Sequence, residues 1–344
     1  MNKPAIDPQR WTPPKAAHTA RPLPLRNLAI HRIPGNGPEH VTPGKNADLL
    51  TGLDDGRVIS YDPQTRQDQL IVDTGGRPLG MAWHPDGSLI ICDAQRGLLA
   101  YRPDDRLDVL AAGYHGTPFT FCSNVTVTAD GTIYFSHSST KYNLANWTGD
   151  ILEHRPTGRL FRYTTDGTVE LLLDGLGFAN GIALARDESF IVVAETINYD
   201  LVRLQLTGDR QGALTRFGDP MPGMPDNIAA ADDGNIWVSI VAPRIGPVDF
   251  LLPRNPLLRK ALWALPDGLL QSAQGTPATG VRVLDANGAI VYDFVGIHPD
   301  FGNPTAVWPV GDTVWLASLP SNALASFDRP TDTDATVTDL PSRN

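Results

Sequence analysis

The chain has 344 residues and a net charge of −10, with 41% hydrophobic and 19% charged residues, the make-up of a globular protein with ample apolar surface for a core. It lacks the basic cluster needed to track a phosphate backbone, which argues against a nucleic-acid partner, and its acidic balance favours cations. No run approaches the roughly 18 apolar residues of a membrane span, and no apolar signal core opens the chain, so a cytoplasmic location without stable membrane insertion is expected.

Residues 1–28 form a proline-rich segment containing Pro4, Pro8, Pro13, Pro14, Pro22 and Pro24. From residue 29 to about 335 a short unit of hydrophobic strand, polar turn and second strand recurs, and residues 336–344 are left as a tail. The unit opens at Glu39, at Leu79 (with Gly80-Met81-Ala82-Trp83, then Leu89-Ile90-Ile91) and at Ser123-Asn124 (then Ile133-Tyr134-Phe135). It opens again at Asn180-Gly181 (then Phe190-Ile191-Val192-Val193), at Asp226-Asn227 (then Ile236-Trp237-Val238) and at about Pro304 (then Val314-Trp315-Leu316). Most of these starts lie roughly 40–50 residues apart, the length of a four-stranded blade. Six copies with 32 Gly and 30 Pro to turn the chain therefore predict an all-β, six-bladed β-propeller.

The step from Asp226 to Pro304 is long, and residues 245–274 are read as an insertion in the fifth-to-sixth blade region. Apolar residues at helical spacing after Asn255-Pro256 predict a short amphipathic helix there. It either lies over the channel as a lid, offering Phe250, Leu258, Leu262 or Trp263 to an apolar pocket, or packs outside the barrel. Arg254, Arg259 and Lys260 on it would face an anionic membrane only weakly, because the apolar face is short.

Equivalent positions in a propeller face equivalent directions, so the residues that open each unit should ring the axis at one depth. Glu39, Ser123 or Asn124, Asn180, Asp226 and Asn227 would then converge as oxygen donors. Such a set suits a hard cation, calcium or another divalent ion, whereas zinc favours His and Cys. The plainer alternative is that these residues close hydrogen-bonded turns.

Among the histidines, His115 precedes the third unit and is a candidate proton shuttle. His137 ends a strand near the same unit, and His40 should point away from the channel by strand alternation. Cys92 and Cys122 read as two small, reduced core residues, and the sequons at Asn124 and Asn146 should carry no glycan without secretion. The chain contains no Gly-x-Ser-x-Gly elbow, phosphate-loop glycine run or His-Glu-x-x-His helix.

Several segments together are similar to a known group. They are Gly76-Arg77-Pro78-Leu79-Gly80, Asp93-Ala94-Gln95-Arg96-Gly97-Leu98, the stretch Ile133 to Tyr142, Phe178-Ala179-Asn180-Gly181, Val193-Ala194-Glu195-Thr196 and Gly223-Met224-Pro225-Asp226-Asn227-Ile228. The chain from about Gly37 to Phe327 resembles the calcium-dependent six-bladed propellers that include gluconolactonase/regucalcin, paraoxonase and strictosidine synthase-like proteins. Within that group it is similar in particular to members of the adipocyte plasma membrane-associated protein type. The resemblance implies a catalytic calcium that polarises a lactone, ester or phosphotriester, with Glu39, Asn180 and Asp226 matching its ligands.

Relatives usually carry Asn-Asp where this chain has Ser123-Asn124, so either of these two supplies the fourth ligand. Thr305 stands where strictosidine synthase uses a glutamate, so amine–aldehyde condensation is not expected, and Leu79 replaces one histidine of the paraoxonase-type dyad. The resulting expectation is a calcium-dependent hydrolase of a small-molecule lactone or ester. Asp226 would activate water, with Leu79, His137, Phe178, Thr305 and Trp263 about the substrate. A non-catalytic binding propeller and a carbonyl-compound lyase or isomerase are the alternatives.

Overall fold

Apolar runs such as Leu89–Asp93 and Ile133–His137 are buried along their whole length, as befits strands covered on both faces by neighbouring sheets. The computed structural model describes residues 3–17, 22–265 and 279–330. The strands form six four-stranded antiparallel sheets arranged as a β-propeller. Their innermost strands are Thr42–Pro43, Pro78–Trp83, Cys122–Val127, Ala179–Leu184, Gly223–Ala230 and Ala306–Val310. Five blades are continuous in sequence. The sixth is completed by Ala29–Arg32, which pairs antiparallel with Ala323–Asp328 and fastens the start of the barrel to its end.

Each innermost strand begins on one face and turns back at the other, so the connections between second and third strands return to the face where the inner strands start. Two of these connections carry α-helices. α1 (Thr148–Glu153) lies between the second and third strands of blade three, while α2 (Gly246–Leu251) and α3 (Pro256–Trp263) lie between those of blade five. The helix predicted after Asn255 is α3, capped by the Asn255 side chain, which accepts from the Leu257 backbone N–H at 3.0 Å. The insertion falls within blade five rather than between blades, and residues 266–274 of it lie outside the described residues, as does the 336–344 tail.

Along residues 3–17 the proline-rich segment crosses the helical face as a strap. The Gln9 N–H donates to Glu153 O and the Trp11 N–H to Leu252 O, while Trp263 Nε1 donates to Pro4 O at 2.8 Å. Arg259, expected at a surface, is fully buried. Its guanidinium donates to the carbonyls of Leu152, Gln9 and Leu252, tying α1, the strap and the end of α2 together. No helix among the described residues is long and apolar enough to cross a membrane.

His154 follows α1 with a φ of 52° and stacks on Trp11 at 4.1 Å between ring centroids. Burial, reinforced by the Arg259 charge, draws its pKa from 6.5 down to about 3. The ring is therefore neutral in the fold and protonated in the unfolded chain below pH 6.5. The stability it leaves intact above pH 6.5 is lost as the pH falls toward 3. His154→Asn, which tolerates the left-handed φ, should flatten this part of a thermal-melt-versus-pH curve.

Candidate metal centre

The innermost strands of blades two to five break register with their neighbours at one equivalent place. The shifts fall between Pro78 and Met81, Cys122 and Val125, Ala179 and Ile182, and Pro225 and Ile228. Each bulge releases two residues from the ladder and re-aims their side chains. These pairs are Leu79-Gly80, Ser123-Asn124, Asn180-Gly181 and Asp226-Asn227. Glu39 and Thr305 occupy the corresponding positions just before the inner strands of blades one and six.

The bulges meet backbone to backbone. A Cβ on Gly80 would stand 2.6 Å from Asn124 Cα, and one on Gly181 would stand 2.5 Å from Asn227 Cα and Asp226 O. Both positions need glycine because a neighbouring main chain fills the space. Buried hydroxyls bind the carbonyls that the bulges free. Ser136 Oγ donates to Asn180 O at 2.6 Å, and Ser239 Oγ reaches Asn227 O and Thr305 O, each at 2.8 Å.

Side chains from five blades join in one web. Ser123 Oγ donates to Asn180 Oδ1 at 3.0 Å, and Asn180 Nδ2 donates to Thr196 Oγ1 at 3.2 Å. Asn124 Nδ2 donates to Asn227 Oδ1 at 2.5 Å, and Asn227 Nδ2 donates to Glu39 Oε1 at 2.8 Å. Asn227 thereby orients Glu39. The Thr305 hydroxyl is spent on Glu39 O at 2.7 Å, closing the ring between the last blade and the first.

Two carboxylate oxygens in this buried web, Glu39 Oε2 and Asp226 Oδ1, have no hydrogen-bond partner. Burial pushes Glu39 up to about 7, partly offset by the Asn227 hydrogen bond and the Arg77 charge. Burial and then the Glu39 charge raise Asp226 well above the ordinary carboxylate range. Arg77 supplies no direct counter-charge, because its guanidinium binds the carbonyls of Gly37, Gly52 and Pro78.

Among the described residues no three His, Cys, Asp or Glu cluster as a metal site. The candidate set holds two carboxylates, with amide and hydroxyl oxygens making up the rest. Two unpaired, mutually repelling buried carboxylates among neutral oxygens fit a hard divalent cation. Asn180 and Asn227 would use the second lone pair of their amide oxygens, since each already accepts one hydrogen bond.

Leu79 and Phe178 lie in one apolar cluster with Phe121, Met224, Ile197 and Tyr199 from the blades and Ile151, Val248 and Leu252 from the helical insertions. Trp11 of the strap and Trp147 pack on it. Leu79 is itself one of the bulge residues, so this cluster adjoins the oxygen donors. Beyond them the channel widens toward the opposite face into a cavity of about 260 Å³, walled by residues including Ala82, Thr126, Leu184, Ala230 and Trp308 and reaching Asn124.

Other expected site residues fall elsewhere. His115 is exposed at the two-residue turn of the hairpin Gly113–Pro118, stacked on Tyr114 at 4.1 Å, so a turn rather than the channel claims it. His137 is buried in blade three opposite Cys122, with its ring 5.3 Å from Phe119, both nitrogens unpaired and its pKa drawn down by burial to about 4. Trp263 packs with Ile6, Tyr142 and Leu152 behind the strap, while Phe250 and Leu258 face solvent. His40 is buried in edge contact with Trp308 at 6.0 Å. Arg77, Thr196 and Phe121 also take part, Arg77 and Thr196 lying within segments that carry the family resemblance and Phe121 having no local signal.

The fold and the oxygen donors on its inner-strand bulges define a six-bladed β-propeller with a candidate cation centre near its axis. A sequence model of the strictosidine synthase family matches residues 123–209. Strictosidine synthase-like protein 4 of Arabidopsis thaliana is 33% identical over 303 residues, 85% of this chain and 79% of that protein. The chain therefore belongs to the strictosidine synthase-like family.

Strictosidine synthase-like protein 13 of Arabidopsis thaliana is 38% identical over 56% of this chain. The adipocyte plasma membrane-associated protein of Rattus norvegicus is 33% identical over 67% of it. These matches span 48% and 66% of the two relatives. Among solved structures, a gluconolactonase from Xanthomonas campestris superposes with a TM-score of 0.65 at 16% identity, covering 96% of this chain and 99% of that one. The calcium-binding protein regucalcin from Agrobacterium tumefaciens does so with a TM-score of 0.58 at 12% identity, covering 89% and 90%. At such identities the likeness is one of fold.

Two outcomes test the centre. Glu39→Gln removes one of two repelling buried charges, so the metal-free variant should melt above metal-free wild type and lose its calcium-induced shift. For wild type that shift corresponds to about 2.7 kcal/mol at a hundredfold excess over Kd. Gly181→Ala drives a methyl into the blade-five backbone and should cost ~1–3 kcal/mol in chemical denaturation, with weaker calcium binding by calorimetry.

Proposed function

We propose that this protein is a calcium-dependent hydrolase of lactones or esters that carry apolar acyl or aryl groups. The observation that supports it is the pair of unpaired buried carboxylate oxygens, Glu39 Oε2 and Asp226 Oδ1, set beneath an apolar cluster. Glu39, Asn180, Asp226 and Asn227, with Ser123 or Asn124, would hold the ion, and the Asn227 amide nitrogen also keeps Glu39 in place. A calcium ion bound there would supply Lewis-acid polarisation of the substrate carbonyl.

Asp226 is the residue to take the proton of the attacking water, at the oxygen that carries no hydrogen bond. Leu79, Phe121, Phe178 and Met224 exclude bulk water and offer contact to hydrocarbon rather than to sugar hydroxyls. This favours acyl-lactones and aryl esters over aldonolactones. The strap and the helices α1 and α2 cover that cluster, so substrate entry from this side requires them to move as a lid.

A panel of acyl-lactones, aryl esters and aldonolactones, assayed with and without chelator, tests the reading. Turnover should favour the first two classes, vanish with chelator and return with calcium. Asp226→Asn should lower kcat/KM by about 100-fold or more. Turnover indifferent to chelator and to Asp226→Asn would sink the mechanism. One observation favours a binding role instead: the Ser123 hydroxyl already occupies Asn180 Oδ1. Stoichiometric binding of calcium and an acyl-lactone with no turnover of any panel member would establish that role.

A further inference from the structure

Cys92 and Cys122 stand 30 positions apart on different blades, yet their sulfurs lie 3.0 Å from each other. Cys92 is on the second strand of blade two, and Cys122 begins the innermost strand of blade three. Both are fully buried, among Leu98, Phe119, Val125 and Phe135. Unbonded carbon atoms settle roughly 3.5–4.0 Å apart, and sulfur is larger, so this spacing is tighter than two thiols need for packing alone. A disulfide requires an approach of only about 1 Å more.

We infer that Cys92 and Cys122 form a covalent cross-link between blades two and three when the chain folds in the presence of a low-molecular-weight disulfide. One cysteine thiolate attacks the small disulfide, forming a mixed disulfide and releasing one small thiol. The second cysteine then attacks the protein-bound sulfur, closing the Cys92–Cys122 bond and releasing the other. The two protein thiols are oxidised, the small disulfide is reduced to two thiols, and the protons of the cysteines end on those thiols.

Burial holds the Cys92 thiol protonated, so exchange belongs to the open seam during folding or breathing rather than to the closed fold. The same burial shields the bond from reductants once it has formed. Its place gives it a consequence. Cys122 directly precedes Ser123 and Asn124; the hydrogen bond that the Cys92 thiol donates to Asn124 O is given up on oxidation, and the Ser136 hydroxyl still reaches that carbonyl. The cross-link therefore anchors the bulge that carries two candidate ligands, and it restrains the intervening loop in the unfolded chain.

The full chain, reduced and denatured, is refolded in oxidised or in reduced glutathione, then denatured in maleimide and weighed as intact protein and as peptides. After oxidised refolding, maleimide incorporation should fall from two per chain to none, with one peptide joining Cys92 to Cys122. The oxidised form should also melt at a higher temperature than the reduced form. Cys92→Ser and Cys122→Ser should each leave one free thiol and abolish the redox-dependent melting shift. Where a variant does not fold, oxidised wild type that is unfolded, reduced with phosphine and refolded reads the same shift. Two maleimides per chain in native-like protein from both conditions, or linkage only between chains, overturns the cross-link. Neither readout depends on metal binding or hydrolysis, so failure here leaves those untouched.

Discussion

The structure turns on how closely the inner strands approach at the axis. Gly80 against Asn124 and Gly181 against Asn227 bring main chains into direct contact, leaving no room there for a side chain. At that depth the strands cannot stay in a regular ladder, and blades two to five relieve the crowding with the same two-residue bulge. The bulge turns outward-alternating positions toward the axis, so Ser123, Asn180 and Asp226 come to share one small volume with Glu39. Desolvation follows from the geometry. Two carboxylates are held where water does not reach them, and the neighbouring amides satisfy only part of their oxygens.

That electrostatic debt gives the centre its chemical character. A buried pair of acids can be relieved by protons or by a cation, and the raised positions of Glu39 and Asp226 show how poorly the protein alone accommodates both charges. Asn227 is the hinge of the arrangement, since its amide receives from Asn124 and donates to Glu39, tying blades one, three and five together. Over this polar core lies an apolar layer whose members come from blades, helices and strap alike. The layer is secured by Arg259, whose two terminal guanidinium nitrogens donate to main-chain carbonyls of α1, the strap and the end of α2.

The six units, their turns and the oxygen residues that open them were legible because each unit spells its blade locally, through apolar strands and polar turns. Asn255 and Pro256 announced α3 through the chemistry of a helix start. α1 escaped notice because Thr148–Glu153 is too short for an apolar period to show. His115 looked suggestive from its place before Ser123, but the hairpin around it carries its ring to solvent. For Phe250 and Leu258 the sequence leaves pocket and outer surface equally open, because hydrophobicity alone does not say which face of a short helix meets the core, and the structure exposes both. Trp263 did turn inward, yet toward Ile6 and Tyr142.

By itself, then, the order of residues determined the number of blades, the all-β class and which side chains begin each inner strand, since all of these are written in contiguous segments. Only the tertiary structure decided that Ala29–Arg32 closes the last blade, that residues 3–17 strap the helices, that Asn227 grips Glu39 and that Cys92 meets Cys122. Each of those depends on contact between residues far apart in the chain. Such contacts follow from ring closure and backbone crowding at the axis, and no local periodicity encodes them.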